Sequence, residues 1–221
     1  MRLTKMEDKF KRAVIIGSGE DVPGEAPIIA KDTLVIAADG GLKQAYQWGL
    51  TPDYLLGDFD SLDLGREQID LPADRIIRFP VEKDQTDLEL AVDFALARGV
   101  DEIILTGAWG GSISHSLGNL ELLYLLAQKQ IQAEIITNSA RIYTVKGELK
   151  LELPTDSRIS LVPLSETAAG VTTKGLYYPL RDAVVAKGST WTIGNKTVEK
   201  CIQISCTSGI LIAVVELKNP R

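Results

Sequence analysis

Residues that bind metals through sulfur or nitrogen, or that form disulfides, are scarce in this sequence. It contains two cysteines, Cys201 and Cys206, and a single histidine, His115. One histidine excludes a zinc site with several histidine ligands, and no cysteine–histidine spacing typical of zinc binding occurs. Both cysteines fall in one predicted strand, so we expect buried apolar side chains and no disulfide.

Long apolar segments and basic runs are also missing. No apolar stretch reaches the roughly 18 residues that a membrane-spanning helix needs. The charged N-terminal segment lacks the apolar region of a signal peptide. The net charge is −6 and no basic run exceeds two residues, which argues against nucleic acid as a partner. We therefore expect a cytoplasmic globular protein that binds neither nucleic acid nor membrane.

The first part of the chain, residues 12–138, alternates short apolar runs with helical patterns. Runs rich in β-branched residues are typical of strands that are covered on both faces, as in a parallel sheet. They lie at residues 13–16, 34–38, 54–56, 75–79, 103–105 and 133–136. This alternation predicts an open, doubly wound, mostly parallel sheet with helices on both faces.

Two helices of this α/β part can be placed from the sequence. Thr86 and Glu89 form a Thr-x-x-Glu pattern, which predicts that Thr86 caps the start of a helix. Gly99 is a suitable residue to follow the end of that helix. A second helix is predicted near residues 117–130.

After about Arg141 the pattern changes to a period of two. Leu149, Leu151 and Leu153 alternate with charged residues, and turn residues recur at short intervals. Short strands of this kind predict an all-β sandwich. We therefore expect two domains, an α/β domain at residues 1–140 and a β-sandwich at residues 141–221.

Acidic residues follow several of the predicted strands. They are Asp39, Asp58 and Asp60, with Asp84 and Asp87 at the start of the next helix. Ligands of open α/β sheets bind beyond the carboxyl ends of the strands, so these carboxylates would share one cleft. Neighbouring carboxylates repel unless a cation joins them, and Mg²⁺ is commonly held by few protein ligands plus phosphates. We favour such a site; for each single aspartate, turn capping is the alternative.

Two glycine-rich loops also follow predicted strands. Residues 17–19 (GSG) begin a dinucleotide-binding pattern, but Val22 occupies its third glycine position. Residues 107–111 (GAWGG) could bind an anion through backbone N–H groups or form a simple turn. His115 follows this second loop, where it could bind a ligand or merely pack. No phosphate-binding loop of the GxxxxGK[ST] type occurs.

Six segments together resemble the thiamine pyrophosphokinase family. Three lie in the α/β part: residues 38–41 (ADGG), 52–61 (PDYLLGDFDS) and 82–91 (EKDQTDLELA). Residues 107–123 resemble the next block of that family in order and spacing. In the β part, residues 175–180 (GLYYPL) and 188–195 (GSTWTIGN) resemble its thiamine-binding domain. The resemblance spans roughly residues 12–217 and implies an α/β domain followed by a β-sandwich.

The resemblance also implies residue roles. Asp58, Asp60 and Asp87 would be catalytic, holding Mg²⁺ and orienting the triphosphate of ATP. Substrate or phosphate contacts are implied for Asp39, Lys83, Thr86, Ser112, His115, Tyr178 and Asn195. Tyr178 would pack near thiamine and Asn195 would form a hydrogen bond with it. The family further implies a homodimer in which two subunits share each active site.

The sequence departs from the family pattern at two places. Where the family loop reads GGRxDH, this sequence has Ser112 at the arginine position and Ser114 at the aspartate position. Gly194 replaces the serine of a Ser-Asn pair. Either ATP binds more weakly here than in relatives with the arginine, or another cation replaces it, and the candidates are Lys43, Arg78 and Arg141. We favour partial compensation.

The expected reaction moves diphosphate from ATP to the hydroxyethyl group of thiamine, giving thiamine diphosphate and AMP. Asp84, Asp87 and His115 are the candidate general bases. The two serines motivate an alternative, a catalytically weakened protein of the same fold that binds thiamine or thiamine diphosphate. A third interpretation keeps phosphotransfer but changes the acceptor to another aromatic alcohol.

Overall fold

The computed structural model describes residues 10–59 and 69–217. The first part contains β1 (Arg12–Ile16), β2 (Thr33–Ala38), α1 (Gly41–Gln47), β3 (Tyr54–Gly57), a 3₁₀ turn (Ala73–Arg75), β4 (Ile76–Arg78), α2 (Asp87–Leu96), β5 (Glu102–Thr106), α3 (Ile113–Gln128) and β6 (Gln132–Ile136). The second contains β7 (Ala140–Val145), β8 (Glu148–Glu152), β9 (Arg158–Pro163), β10 (Thr167–Lys174), β11 (Ala183–Ala186), β12 (Asn195–Lys196), β13 (Cys201–Ser205) and β14 (Leu211–Glu216).

One large sheet runs through both parts of the chain. Its strand order is β12-β9-β14-β7-β6-β5-β1-β2-β3-β4. Pairing is parallel from β6 to β4 and antiparallel from β12 to β6. The strand order reverses at β1, which lies between β2 and β5. This switch point creates a crevice beyond the carboxyl ends of β1 and β5.

Helices cover both faces of the parallel region. Ala13 and Ile15 of β1 pack beneath α2 and α3, whereas Val14 and Ile16 pack with Ala45 of α1. All of these β1 side chains are buried because each face has its own helical layer. The doubly wound fold predicted from the sequence is therefore confirmed.

A second sheet, with strand order β11-β10-β13-β8, completes the sandwich. Its partner layer is the antiparallel end of the large sheet, so the sandwich shares a sheet with the α/β part. Strand β14 contributes to both cores. Leu211 and Ala213 face the sandwich interior, and Ile212 between them packs beneath the helices of the α/β part.

Local features agree with the sequence in part. Thr86 caps α2, because its Oγ1 accepts a hydrogen bond from Glu89 N (3.2 Å). Helix α3 begins at Ile113, one turn earlier than predicted, because Ser112 caps it. Both cysteines are free as expected, but Cys201 is exposed and only Cys206 is buried. Within the described ranges, no helix is long and apolar enough to cross a membrane.

Candidate active site

The two glycine-rich loops lie side by side in the crevice between β1 and β5. Gly17 N donates to Thr106 O (2.7 Å) and Gly19 N donates to Gly107 O (2.7 Å). A Cβ atom on Gly107 would lie 2.2 Å from Gly17 O, and the residue has a φ of +59°. Close backbone packing therefore requires this glycine. The GSG segment of the incomplete dinucleotide pattern, residues 17–19, is thus packed against the second loop.

The second loop is held to the start of α3 by polar side chains. Gly110 N donates to Ser116 Oγ (3.1 Å), and Ser116 Oγ donates to Ser112 O (2.9 Å). Asn119 is buried and its Nδ2 donates to Ala108 O (2.8 Å). The sequence reading missed Ser116 and Asn119. Their spacing from the cap Ser112, one and two helical turns into α3, is the signal that would have found them.

A cleft of about 440 Å³ opens above these loops. Its lining includes most of the residues predicted for the α/β site: Asp39, Asp58, Thr86, Asp87, Ser112 and His115. Asp84 is exposed and does not line it. Asp60 was predicted as a catalytic and metal-binding residue, and it lies outside the described residues. The structure therefore brings together side chains that come from four separate segments of the chain.

Lys83 lies between two of the cleft carboxylates. Its Nζ is 2.6 Å from Asp58 Oδ2 and 3.1 Å from Asp87 Oδ1. The three side chains are largely buried, with exposed fractions of 14% for Lys83, 10% for Asp58 and 22% for Asp87. A single cationic nitrogen thus contacts both carboxylates. Across the described ranges, no group of three or more acidic, cysteine or histidine side chains is close enough to form a metal site.

The charges of this cluster shift its ionisation. Burial lowers the pKa of the Lys83 ammonium, but its hydrogen bonds to Asp58 and Asp87 and their negative charges outweigh burial, so the pKa lies above its ordinary value. Burial raises the pKa of Asp87. The Lys83 charge opposes that rise, and the charges of Asp58 and Asp39 add to it. Burial is therefore the main reason why the pKa of Asp87 lies above its ordinary value.

The three cations considered as replacements for the missing arginine lie in different places. Arg141 Nε is 3.8 Å from Glu134 Oε2, and neither residue lines the cleft. Arg78 stacks over the ring of Phe59, with 4.8 Å between the guanidinium carbon and the ring centroid. Lys43 is exposed and lines a cavity of about 210 Å³ on the α1 side of the Gly17–Gly19 loop. Lys43 therefore shares a cavity with one of the two glycine-rich loops of the crevice.

The two predicted thiamine-binding residues lie elsewhere, in the β part. Tyr178 and Asn195 line a small cavity of about 60 Å³ together with Trp191 and Ile193. The exposed fractions of Tyr178, Trp191 and Ile193 are 65%, 55% and 54%, which is high for large apolar side chains. This cavity shares no lining residue with the acidic cleft. Within the described part of one chain, the two predicted halves of the site are therefore separate.

Comparison with known families places this geometry in context. Residues 26–135 match the family model described as thiamin pyrophosphokinase, catalytic domain. Residues 146–211 match the model described as thiamin pyrophosphokinase, vitamin B1 binding domain. The acidic cleft lies mainly in the first matched segment, and the Tyr178–Asn195 cavity lies in the second.

Individual relatives agree with the family models. The thiamine pyrophosphokinase of Bacillus subtilis (strain 168) is 36% identical over 185 residues, which cover 82% of this chain and 86% of the relative. A crystal structure of thiamine pyrophosphokinase from Bacillus subtilis has a TM-score of 0.84 at 31% identity and covers 94% of this chain and 100% of its own. The crystal structure from Geobacillus thermodenitrificans gives 0.76 at 28% identity, covering 95% and 99%.

Proposed function

This chain belongs to the thiamine pyrophosphokinase family, and we propose that it transfers diphosphate from ATP to the hydroxyethyl group of thiamine, forming thiamine diphosphate and AMP. The observation that carries the proposal is the cleft at the sheet's switch point, where Asp58 and Asp87 converge on one cation beside two glycine-rich loops. The relatives described above are pyrophosphokinases by name. We therefore favour turnover over the alternative of a protein that only binds thiamine.

The donor set of this cleft fits Mg²⁺. Asp58 and Asp87 point carboxylate oxygens at one cation. Burial is the main cause of the raised pKa of Asp87, with smaller contributions from the charges of Asp58 and Asp39, and a bound divalent ion would stabilise the ionised carboxylates. We infer that Asp58 and Asp87, together with Asp60, hold Mg²⁺ and that Asp39 adds to the negative field. When bound, the ion would neutralise charge on the transferred phosphates.

The residues of the chain would mainly bind and orient the triphosphate. The alcohol oxygen of thiamine attacks the β-phosphorus, the bond to the α,β-bridging oxygen breaks, and AMP leaves. Alignment and charge neutralisation supply most of the acceleration in such transfers. Thr86 and Ser112 lie at the N-termini of α2 and α3, where backbone N–H groups favour anions. Of the three candidate bases, Asp87 and His115 line the cleft and Asp84 does not.

Thiamine would bind between two subunits. Among residues 10–59 and 69–217, none lines both the acidic cleft and the Tyr178–Asn195 cavity, and the aromatic side chains of that cavity are exposed. A two-fold dimer that places the cavity of one chain against the cleft of the other would cover these side chains and complete two equal sites. The thiazolium ring of thiamine is cationic, which suits an aromatic wall facing a negative cleft.

We assign the ligands to the two domains that were expected from the sequence. Residues 1–140 would bind ATP and Mg²⁺, and residues 141–221 would bind thiamine. An ATP-consuming reaction also agrees with the expected cytoplasmic location, which cell fractionation would test.

The direct test is a turnover assay. The purified chain is mixed with MgATP and thiamine, and AMP and thiamine diphosphate are measured by chromatography. We expect the two products in equal amounts, with no ADP. Thiamine binding without AMP formation would instead support the binding-protein alternative, and a panel of aromatic alcohols would reveal a different acceptor.

A further inference from the structure

The ammonium group of Lys83 bridges two carboxylates that line the acidic cleft, those of Asp58 and Asp87. Its Nζ lies within 2.6 Å of Asp58 Oδ2 and 3.1 Å of Asp87 Oδ1. Lys83 lies in the loop before α2, four positions ahead of Asp87, which is the first residue of the helix. Asp58 comes from the end of β3, 25 positions earlier in the chain. The two carboxylates thus meet only because the fold brings β3 and α2 together.

We propose that Lys83 acts as an internal competitor of the metal ion. Its ammonium contacts the same two carboxylates that the proposed function assigns to Mg²⁺, so a divalent ion bound by both must displace it. This inference rests on the proposed function for the identity of the cation. It adds a role that acts before any reaction: in the absence of nucleotide, Lys83 keeps the affinity for free divalent ions low.

Electrostatics explains why the competition matters. Asp58, Asp87 and Lys83 are all largely buried, so their charges are poorly screened by water. With Lys83 in place, the two carboxylates already have a compensating charge and a hydrogen-bonding partner. A free metal ion must break these contacts and leave the ammonium without a partner. A nucleotide-bound ion arrives with phosphates, which offer the displaced ammonium a new anionic partner.

The competition affects how metal and nucleotide bind in the cleft. Metal and nucleotide would bind together, since only the pair satisfies the carboxylates and Lys83 at once. The opposing arrangement is a permanent ion pair, in which Lys83 stays on Asp58 and Asp87 and the metal binds elsewhere. Competition predicts that metal binds more tightly once the lysine is removed and that bound metal releases the ammonium, whereas a permanent ion pair predicts neither effect.

The first experiment measures binding of Mn²⁺ to the nucleotide-free protein by electron paramagnetic resonance. Lys83→Met removes the ammonium but keeps an unbranched side chain. We expect its Kd for Mn²⁺ to fall by about tenfold or more relative to the wild-type chain, because the ammonium that contacts both carboxylates is removed. Lys129→Met is the matched control: Lys129 is exposed at the far end of α3, and its loss changes the net charge equally. An unchanged or higher Kd in folded Lys83→Met would overturn the proposal.

The second experiment needs no substitution, so it stands even if the variant fails to fold. The wild-type chain is treated with acetic anhydride, and the acetylation rates of Lys83 and Lys129 are compared by mass spectrometry. Lys83 is expected to react slowly alone and several-fold faster at saturating Mn²⁺, while Lys129 does not change. A Lys83 rate that Mn²⁺ leaves the same would contradict displacement. Neither measurement uses catalysis, so failure of the turnover assay would remain a separate result.

Discussion

The side chain of Asn195 binds the backbone of Tyr178 at both of its polar groups. Asn195 Oδ1 accepts from Tyr178 N (3.0 Å), and Asn195 Nδ2 donates to Tyr178 O (2.8 Å). The family resemblance gives Asn195 a hydrogen bond to thiamine; the structure shows that its amide also fixes the position of the aromatic residue beside it. Asn195 therefore shapes the cavity in which the exposed rings lie.

Asn195→Ala should impair thiamine binding more than ATP binding. Losing the proposed hydrogen bond to thiamine and the fixed position of Tyr178, at about 1 kcal/mol each, predicts a KM for thiamine that is higher by roughly 10- to 30-fold. The KM for ATP should stay within about twofold, since Asn195 does not line the acidic cleft. Steady-state kinetics with each substrate varied in turn provides the measurement. Equal increases in both KM values would show that the substitution disturbs the whole fold.

Asp58→Asn should remove turnover while leaving the fold intact. The amide cannot replace the negative charge that faces Lys83 and the proposed Mg²⁺, so we expect activity to fall by about 100-fold or more. Asp60→Asn is expected to behave in the same way. Asp101→Asn is the control, because Asp101 is exposed at the opposite end of β5. Near-normal turnover of Asp58→Asn at saturating Mg²⁺ would refute the assignment of this site.

Ser112 and Ser114 offer a test of the missing arginine. Their Oγ atoms lie 3.0 Å apart, and Ser112 Oγ accepts from His115 N (3.4 Å) as the cap of α3. Ser112→Arg alone should help little, because it removes the cap at a cost of about 1 kcal/mol. Adding Ser114→Asp places a carboxylate in the first turn, where it can orient the arginine.

The double variant should therefore lower the KM for ATP by more than the two single effects combined. A double-mutant cycle on kcat/KM for ATP measures this coupling. Strictly additive effects would show that the two serines do not stand at the positions of a lost ion pair.

Two glycines provide a matched pair for stability. Gly107→Ala should lower the free energy of unfolding by about 2 kcal/mol or more, because its φ is +59° and its Cβ would lie 2.2 Å from Gly17 O. Gly118 lies within α3, and an added Cβ would meet nothing within 4 Å beyond the adjacent backbone of the helix, so Gly118→Ala should raise that free energy by about 0.5 to 1 kcal/mol. Urea unfolding of both variants checks the signs. An unchanged free energy of unfolding in Gly107→Ala would mean that the two glycine-rich loops can move apart to accommodate the added methyl group.

The composite site can be tested by mixing two inactive chains. Asp58→Asn disables the acidic cleft, and Asn195→Ala disables the thiamine cavity at low thiamine concentration. If subunits share sites, random exchange makes half of the dimers mixed, and each mixed dimer has one intact site. Activity should then return to about a quarter of that of the unmodified protein. Verified exchange without recovery would mean that each chain builds its own site.

Features set by neighbouring residues were predictable from the sequence. The strands β1 and β2, the cap Thr86 and the acidic residues at strand ends follow from local patterns of apolar and capping residues. The start of α3 was misplaced, because the glycines and serines before Leu117 obscured the cap Ser112. Cys201 was expected to be buried, but it lies on the outward face of β13.

Long-range geometry could not be predicted in this way. The contact between Lys83 and Asp58 joins residues 25 positions apart, and only the folded sheet sets its distance. The same holds for β14, whose pairing with both β7 and β9 merges the expected sandwich with the α/β sheet. The alternation of apolar residues identifies such a strand but carries no information about its partners.

The central place of β14 affects how the protein is made. The ribosome produces this strand after every other strand that the structure describes, yet it lies between β7 and β9 in the sheet. Until it emerges, β7 has an unpaired edge, and Ile142 lacks the neighbour Ile212 in the core beneath the helices. Open apolar edges of this kind pair readily with other chains. We therefore expect the nascent chain to be most prone to aggregation until β14 has emerged and covered the edge of β7.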